Sequence, residues 1–233
     1  MISATVRASA LLLAAAVIAP FASSPAASRS TPASAATSAV ESAAAIQQAA
    51  SLDTVVFAGG CFWGVQAVFQ HVKGVVSATS GYAGGTVTNP DYETVSSGRT
   101  GHAEVVRIVY DPSKVAYATL MRVFFTVAHD PTELNRSGPD VGTQYRSAIY
   151  YTSEAQHMAT QAHIAQLQKS LKKPVVTEVA PLKAFNVAEA YHQDYATLHP
   201  NQPYIVYNDA PRSRRSSSSS RRSGASASRR TRR

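Results

Sequence analysis

The 233-residue sequence contains a single cysteine, Cys61, and a single tryptophan, Trp63, both within Gly59-Gly60-Cys61-Phe62-Trp63-Gly64. Cysteine does its chemistry as the thiolate, so the first issue is whether this position favours the anion. The β-branched run DTVVFAG (53–59) reads as a buried strand. FWGVQAVFQHV (62–72) is apolar at 62, 65, 68, 69 and 72, which is helical spacing. A strand that turns through two glycines into a helix puts Cys61 in the first helical turn. Unpaired backbone N–H groups and the positive end of the helix dipole then favour the thiolate and lower the thiol pKa. The glycines permit a tight turn and let another molecule approach the backbone. Phe62 and Trp63 supply an apolar wall suited to a small apolar group attached to an electrophile. Such a setting suits a nucleophile. It suits a cysteine packed in a core equally well, and this stretch alone leaves both readings open.

The rest of the composition narrows the chemistry. A lone cysteine excludes an internal disulfide framework and any multi-cysteine metal site. His102 and Glu104 form an H-x-E pair, but no C-x-x-C accompanies it, and His157 and His163 are six apart, the wrong spacing for one helical face. No metal is expected. The net charge of +8 belongs mainly to the C-terminus, where nine of 22 basic residues lie between Arg212 and Arg233. Between residues 30 and 211 there are 11 basic and 14 acidic residues, a difference of −3.

Four regions follow. Residues 1–27 have the layout of a secretory signal peptide: Arg7, the apolar run ASALLLAAAVIAP, then small residues up to a plausible cleavage point near Ala27. Export to a periplasmic or extracellular space is therefore expected, an uncleaved membrane anchor being the alternative, and export puts Cys61 in an oxidising compartment. Residues 28–51 are an Ala/Ser-rich linker. Residues 52–210 hold the compact domain. Residues 211–233 are an Arg/Ser-rich tail expected to be disordered.

Within the domain, strands are expected at 53–59, 75–85, 103–112, 147–152 and 175–180, and helices at 62–72, 117–129, 154–171 and 187–199. This alternation implies an α+β fold, an α/β sandwich with a mixed β-sheet flanked by helices. The loops at 80–102 and 129–146 are long and carry Gly, Pro, Tyr, Asp, Asn and Arg, the kind of segment on which sites are built.

Five stretches in order, GGCFWG (59–64), GYAGG (81–85), NPDYETVSSGRTGHAEVVRIVYDP (89–112), HDPTELNRSGPDVGTQYRSAIY (129–150) and AEAYHQDY (188–195), together resemble the peptide methionine sulfoxide reductase A family. The resemblance spans about residues 53–205. It implies a ferredoxin-like core and a thiol-dependent reduction of the S epimer of methionine sulfoxide, free or in proteins and peptides. By the same resemblance Cys61 is the nucleophile that becomes a sulfenic acid, and Glu104, from GHAE, is the acid that protonates the sulfoxide oxygen. For that, Glu104 must stay protonated near neutral pH, held so by an apolar site or a nearby negative charge. Tyr92 and Tyr145 are implied as donors to the sulfoxide oxygen. The resemblance further implies that Asp140 positions substrate or water and that Phe62 and Trp63 hold the substrate methyl. His192 is expected to be a structural hydrogen-bonding residue.

The sequence departs from the family pattern in two places, one of them Ser137, where glutamine is commoner and no functional change is expected. Many members carry resolving cysteines near the C-terminus, whereas here isoleucine follows Pro203-Tyr204. Recycling is then expected to use an external thiol, thioredoxin or a small thiol, with no bound cofactor. A monomer is expected, with weak binding of anionic surfaces by the tail. One rival chemistry is a cysteine hydrolase using His102 or His129 as base.

Overall fold

The computed structural model describes residues 51–209. The expected signal peptide, the linker up to residue 50 and the Arg/Ser tail lie outside the described residues. The described chain is built on one six-stranded sheet in the order β7-β6-β1-β3-β2-β8. Its first half runs β1 (Asp53–Gly59), α1 (Phe62–Gln70), β2 (Val75–Ala83), the short helix α2 (Tyr92–Ser96), β3 (Ala103–Tyr110) and α3 (Tyr117–Val123). Then come the two-residue strands β4 (Arg136–Ser137) and β5 (Asp140–Val141), β6 (Ser147–Tyr151), α4 (Glu154–Gln168), β7 (Glu178–Pro181), β8 (Asn186–Val187) and α5 (Tyr195–Leu198). β1 runs antiparallel to β3 and β6, and β2 antiparallel to β3, whereas β6 and β7 are parallel. The sheet is therefore mixed. Its central strands β6-β1-β3-β2, with α1 after the first and α3 after the third, form the ferredoxin-like arrangement.

The run Val55–Ala58 is buried throughout because the sheet is covered on both faces. Val55 and Phe57 point to the larger core with Val65, Val68, Phe69, Leu120 and Phe124, while Val56 and Ala58 point to a smaller one with Val105, Ala148 and Tyr150. Phe57 anchors the larger core, its ring 4.6 Å from that of Phe124 and 5.3 Å from that of Phe69.

Three expected elements come out differently. The helix expected over 117–129 is α-helical only to Val123 and continues as a π-turn, Phe124–Ala128. The widened turn lets the His129 ring nitrogen Nδ1 reach the Phe124 carbonyl at 3.1 Å. The strand expected at 175–180 is β7, Glu178–Pro181. Val175 and Val176 instead spend their backbone N–H groups on Gln168 Oε1 and the Pro131 carbonyl. The helix expected at 187–199 is three pieces: the sheet-edge strand β8, a 3₁₀ turn at Ala190–His192, and α5. The left-handed backbone of Asp194 (φ 57°) separates the last two.

The turn that delivers Cys61 depends on Gly60. Its φ of +93° is a left-handed conformation, and a Cβ there would collide with the Ser137 side chain. Ser137 Oγ in turn donates to the Gly59 carbonyl at 3.3 Å, tying the β4–β5 hairpin to the turn. Gly60→Ala should therefore destabilise the fold by roughly 2–4 kcal/mol, from left-handed strain and overpacking together. Urea denaturation should show a lower midpoint at an unchanged slope.

Candidate active site

Beyond β1, the chain enters α1 with Cys61 as its N-cap residue (φ −53°, ψ 123°) rather than inside the first turn. Cys61 is 8% exposed and faces a cavity of about 210 Å³ lined by Cys61, Phe62, Trp63, Tyr92, Glu104, Asp140, Tyr145 and Tyr204. All seven residues singled out from the sequence thus meet at one cavity. The volume lies below the roughly 300–1,000 Å³ of pockets that enclose a whole drug-sized ligand. It suits a small head group with the remainder of the molecule outside.

Cys61, Phe62 and Trp63 come from the start of α1, and the other lining residues arrive from separate segments. Glu104, the second residue of β3, is 2% exposed, and its Oε2 accepts the backbone N–H of Phe62 at 3.0 Å. The acid therefore sits on the first orphan donor of α1, one residue from the sulfur. Tyr92 opens α2, whose N-cap Asp91 forms a capping box with Thr94. Tyr145 closes a 3₁₀ turn, Thr143–Tyr145, and Asp140 opens β5, so both come from the long loop at 129–146. Tyr204, from the C-terminal segment, donates its hydroxyl to Asp140 Oδ2 and meets the Trp63 ring edge-on at 6.0 Å.

The aromatic wall is fastened from behind. Trp63 stacks on Tyr195 with ring centroids 3.8 Å apart, and its indole N–H donates to His192 Nδ1 at 3.1 Å. Phe62, fully buried, packs against Tyr82 and His192. Tyr204 and Glu189 have no spacing signal of their own in the sequence. The only hint of Tyr204 is its place next to the isoleucine that interrupts the expected cysteine pattern.

Electrostatics at the thiol reverse the expectation from the helix dipole. Burial pushes the Cys61 thiol well up, and the neighbouring carboxylates Glu104, Asp209 and Asp140 push it the same way. A hydrogen bond from the Trp63 backbone N–H draws it down without offsetting them. Desolvation wins because a buried sulfur anion lacks water and faces negative charge, whereas one or two N–H groups contribute far less. Glu104 meets the requirement for an acid. Burial raises its carboxyl to about 8 against the opposing Phe62 N–H, with Asp140 and Asp209 adding to the rise. The Tyr92, Tyr145 and Tyr204 phenols are all pushed up, first by burial, so they stay protonated as donors.

The bases required by a hydrolase are engaged elsewhere. His102 holds the Gly85 N–H at Nδ1 and the Val87 carbonyl at Nε2. His129 is tied to Phe124 and Ser147, and neither histidine lines the cavity. Among the described residues, no group of three or more His, Cys, Asp or Glu side chains is placed to hold a metal ion. Nor is any described helix long and apolar enough to cross a membrane.

The comparisons with known proteins point one way. A model of the family described as peptide methionine sulfoxide reductase matches residues 53–223. A peptide methionine sulfoxide reductase of Mesorhizobium japonicum is 57% identical over 162 residues, covering 69% of this chain and 83% of that protein. Among solved structures, Mxr1 from Saccharomyces cerevisiae in reduced form superposes with a TM-score of 0.63 at 32% identity, covering 66% of this chain and 90% of that one. Methionine sulfoxide reductase A of Corynebacterium diphtheriae does so with a TM-score of 0.59 at 34% identity, covering 66% and 78%.

The raised Glu104 carboxyl carries a stability prediction. Its folded pKa, about 8, exceeds the ordinary 4.5, so the folded state holds one more proton between those values. The stability that proton contributes is complete below 4.5 and is lost as pH rises through 8. The unfolding free energy from urea denaturation should fall over that window by up to about 1.4 kcal/mol per pH unit. Glu104→Gln, neutral at every pH, should flatten that part of the profile.

Proposed function

Because the chain belongs to the peptide methionine sulfoxide reductase family and is an oxidoreductase acting on methionine sulfoxide, we propose that Cys61 is its nucleophile and Glu104 its proton donor. One observation carries this reading: the buried acid is held against the backbone of the residue that follows the cysteine, in the same cavity. A sulfoxide oxygen leaves only after it is protonated, and Glu104, raised to about 8, carries a proton at neutral pH. With Oε2 engaged by Phe62, Oε1 is the atom that bears this proton toward the substrate.

The raised thiol is neutral before reaction, so it must lose its proton as it reacts. Glu104 becomes a carboxylate as it gives its proton to the sulfinyl oxygen, and it then accepts the thiol proton. Cys61 Sγ attacks the substrate sulfur and forms a transient Sγ–S bond. The protonated oxygen then transfers to Sγ as the substrate S–O bond and the Sγ–S bond both break, and methionine departs. The sulfoxide gains two electrons, Cys61 loses two, and the transferred oxygen carries the proton as a sulfenic acid. Tyr92 and Tyr145 donate hydrogen bonds to the oxygen as charge develops on it. Asp140 orients the substrate, its position shared with Tyr204. Phe62 and Trp63 enclose the methyl group, and this asymmetry selects the S epimer.

The sequence contains no second thiol to resolve the sulfenic acid. The carboxyl-terminal position where a cysteine is common is Ile205, 2% exposed. Two external thiols, from a thioredoxin-like protein or a small thiol, therefore supply two electrons and two protons, releasing water and a disulfide. With the first 27 residues acting as a signal peptide, this happens in an exported monomer that repairs oxidised proteins. Residues 211–233 add only weak, salt-sensitive attraction to anionic surfaces.

Enzyme mixed with excess S sulfoxide but no thiol should release at most one methionine per chain, and mass spectrometry should find one added oxygen on Cys61. Cys61→Ser should release none. Repeated turnover without reductant would sink the proposal. The single-turnover rate should also decline about tenfold per pH unit above the Glu104 pKa of about 8, as the fraction of protonated acid falls.

A further inference from the structure

Glu189 was not singled out by its sequence pattern and does not line the cavity. Its two carboxylate oxygens nevertheless bond one residue that lines it and one that packs behind Phe62. Oε1 accepts the backbone N–H of Tyr92 at 2.8 Å, at the first residue of α2 on the oxygen-binding side. Oε2 accepts the hydroxyl of the fully buried Tyr82 at 2.8 Å, and Tyr82 packs against Phe62. The same Oε2 lies 3.9 Å from His192 Nε2. Nε2 is buried and has no hydrogen-bond partner.

The tautomer of His192 follows from its other bond. An indole N–H is only a donor, so His192 Nδ1, 3.1 Å from Trp63 Nε1, must be the acceptor. The single proton of the neutral ring is then on Nε2, pointing toward Glu189. A second proton on Nδ1 would set two donors face to face and release the indole. The grip on Trp63 therefore requires neutral His192. Burial lowers the His192 pKa, and the Glu189 charge opposes that. Burial raises the Glu189 carboxyl, but its own backbone N–H, the Tyr92 N–H and the Tyr82 hydroxyl outweigh this and keep it ionised. The other groups around the pair are the Tyr92 and Tyr191 rings, 4.5 and 4.2 Å from His192, with Phe62 at 4.9 Å.

We infer that Glu189 is a positioning residue that sets the two walls of the cavity against each other, Tyr92 directly and Trp63 by way of His192. The inference rests on the catalytic reading above for its consequence in turnover, but its geometric content can be measured without turnover. Trp63 is the only tryptophan, so indole fluorescence reports the wall alone.

The test compares wild type, Glu189→Gln, Glu189→Ala and Cys61→Ser, by indole emission and acrylamide quenching across pH and by KM and kcat for methionine sulfoxide. Glu189→Ala leaves the Tyr92 N–H and Tyr82 hydroxyl without their acceptor. It should red-shift the emission, increase quenching, and raise KM roughly tenfold with a smaller loss in kcat. Glu189→Gln keeps an acceptor for Tyr92 and should restore both readings near neutral pH. Without the carboxylate charge, however, His192 protonates less readily, so the acid transition of Trp63 emission should move to lower pH. A purely structural role would not produce that shift. Unchanged emission and KM in Glu189→Ala would overturn the inference. If that variant does not fold, an acid transition in Glu189→Gln that coincides with wild type overturns it. Cys61→Ser keeps the fluorescence profile and loses reduction, so failure of the catalytic reading would show as a different pattern.

Discussion

The hydrogen bond from the Phe62 backbone to Glu104 Oε2 is the constraint around which the site is arranged. It satisfies a donor at the start of α1 that would otherwise be buried without a partner. It also fixes a nearly buried carboxyl group beside the sulfur. Ionised, that carboxylate would be poorly solvated and close to Asp140 and Asp209; protonated, it keeps the bond through its carbonyl oxygen. A packing requirement at a helix end thus goes together with a carboxyl group that is protonated at neutral pH.

The same burial explains the state of the thiol. A permanently ionised cysteine needs stabilisation that this cavity does not provide, so both partners rest neutral. Thiolate character and exposure govern how readily a cysteine is oxidised at random. A buried thiol held in its neutral form is shielded from that fate.

The scaffold enforces this geometry from several directions. The left-handed Gly60 lets Ser137 dock on the turn, so the hairpin bearing Asp140 is fastened to the turn bearing Cys61. Gly64 leaves room for Asp209, as a Cβ there would collide with its carboxylate, and this seats the C-terminal segment carrying Tyr204 on α1. The segment at 188–195 braces the aromatic wall through His192 and Tyr195. Glu104 sits on a central strand and Cys61 at the junction of a strand and a helix, and loop segments close around them.

Much of this is legible in the residues themselves. The buried run 53–59, the glycine turn and the helical spacing after it place Cys61 at a strand-to-helix junction, because burial periodicity and backbone freedom are local properties. The family motifs select Glu104, Tyr92, Tyr145 and Asp140 from many similar residues. The helix expected at 187–199 breaks up because the side chains of Glu189, His192 and Gln193 bond to distant groups, Tyr82, Trp63 and Ser80, which no local pattern records. The sign of the thiol shift was equally hidden: the helix end is encoded locally, but desolvation and the surrounding acidic groups exist only once β3, the hairpin and the C-terminal segment converge. Residue types and spacing therefore determined which groups are able to react. Tertiary packing decided their protonation and their mutual grip, because both depend on how much water and charge the rest of the chain leaves around them.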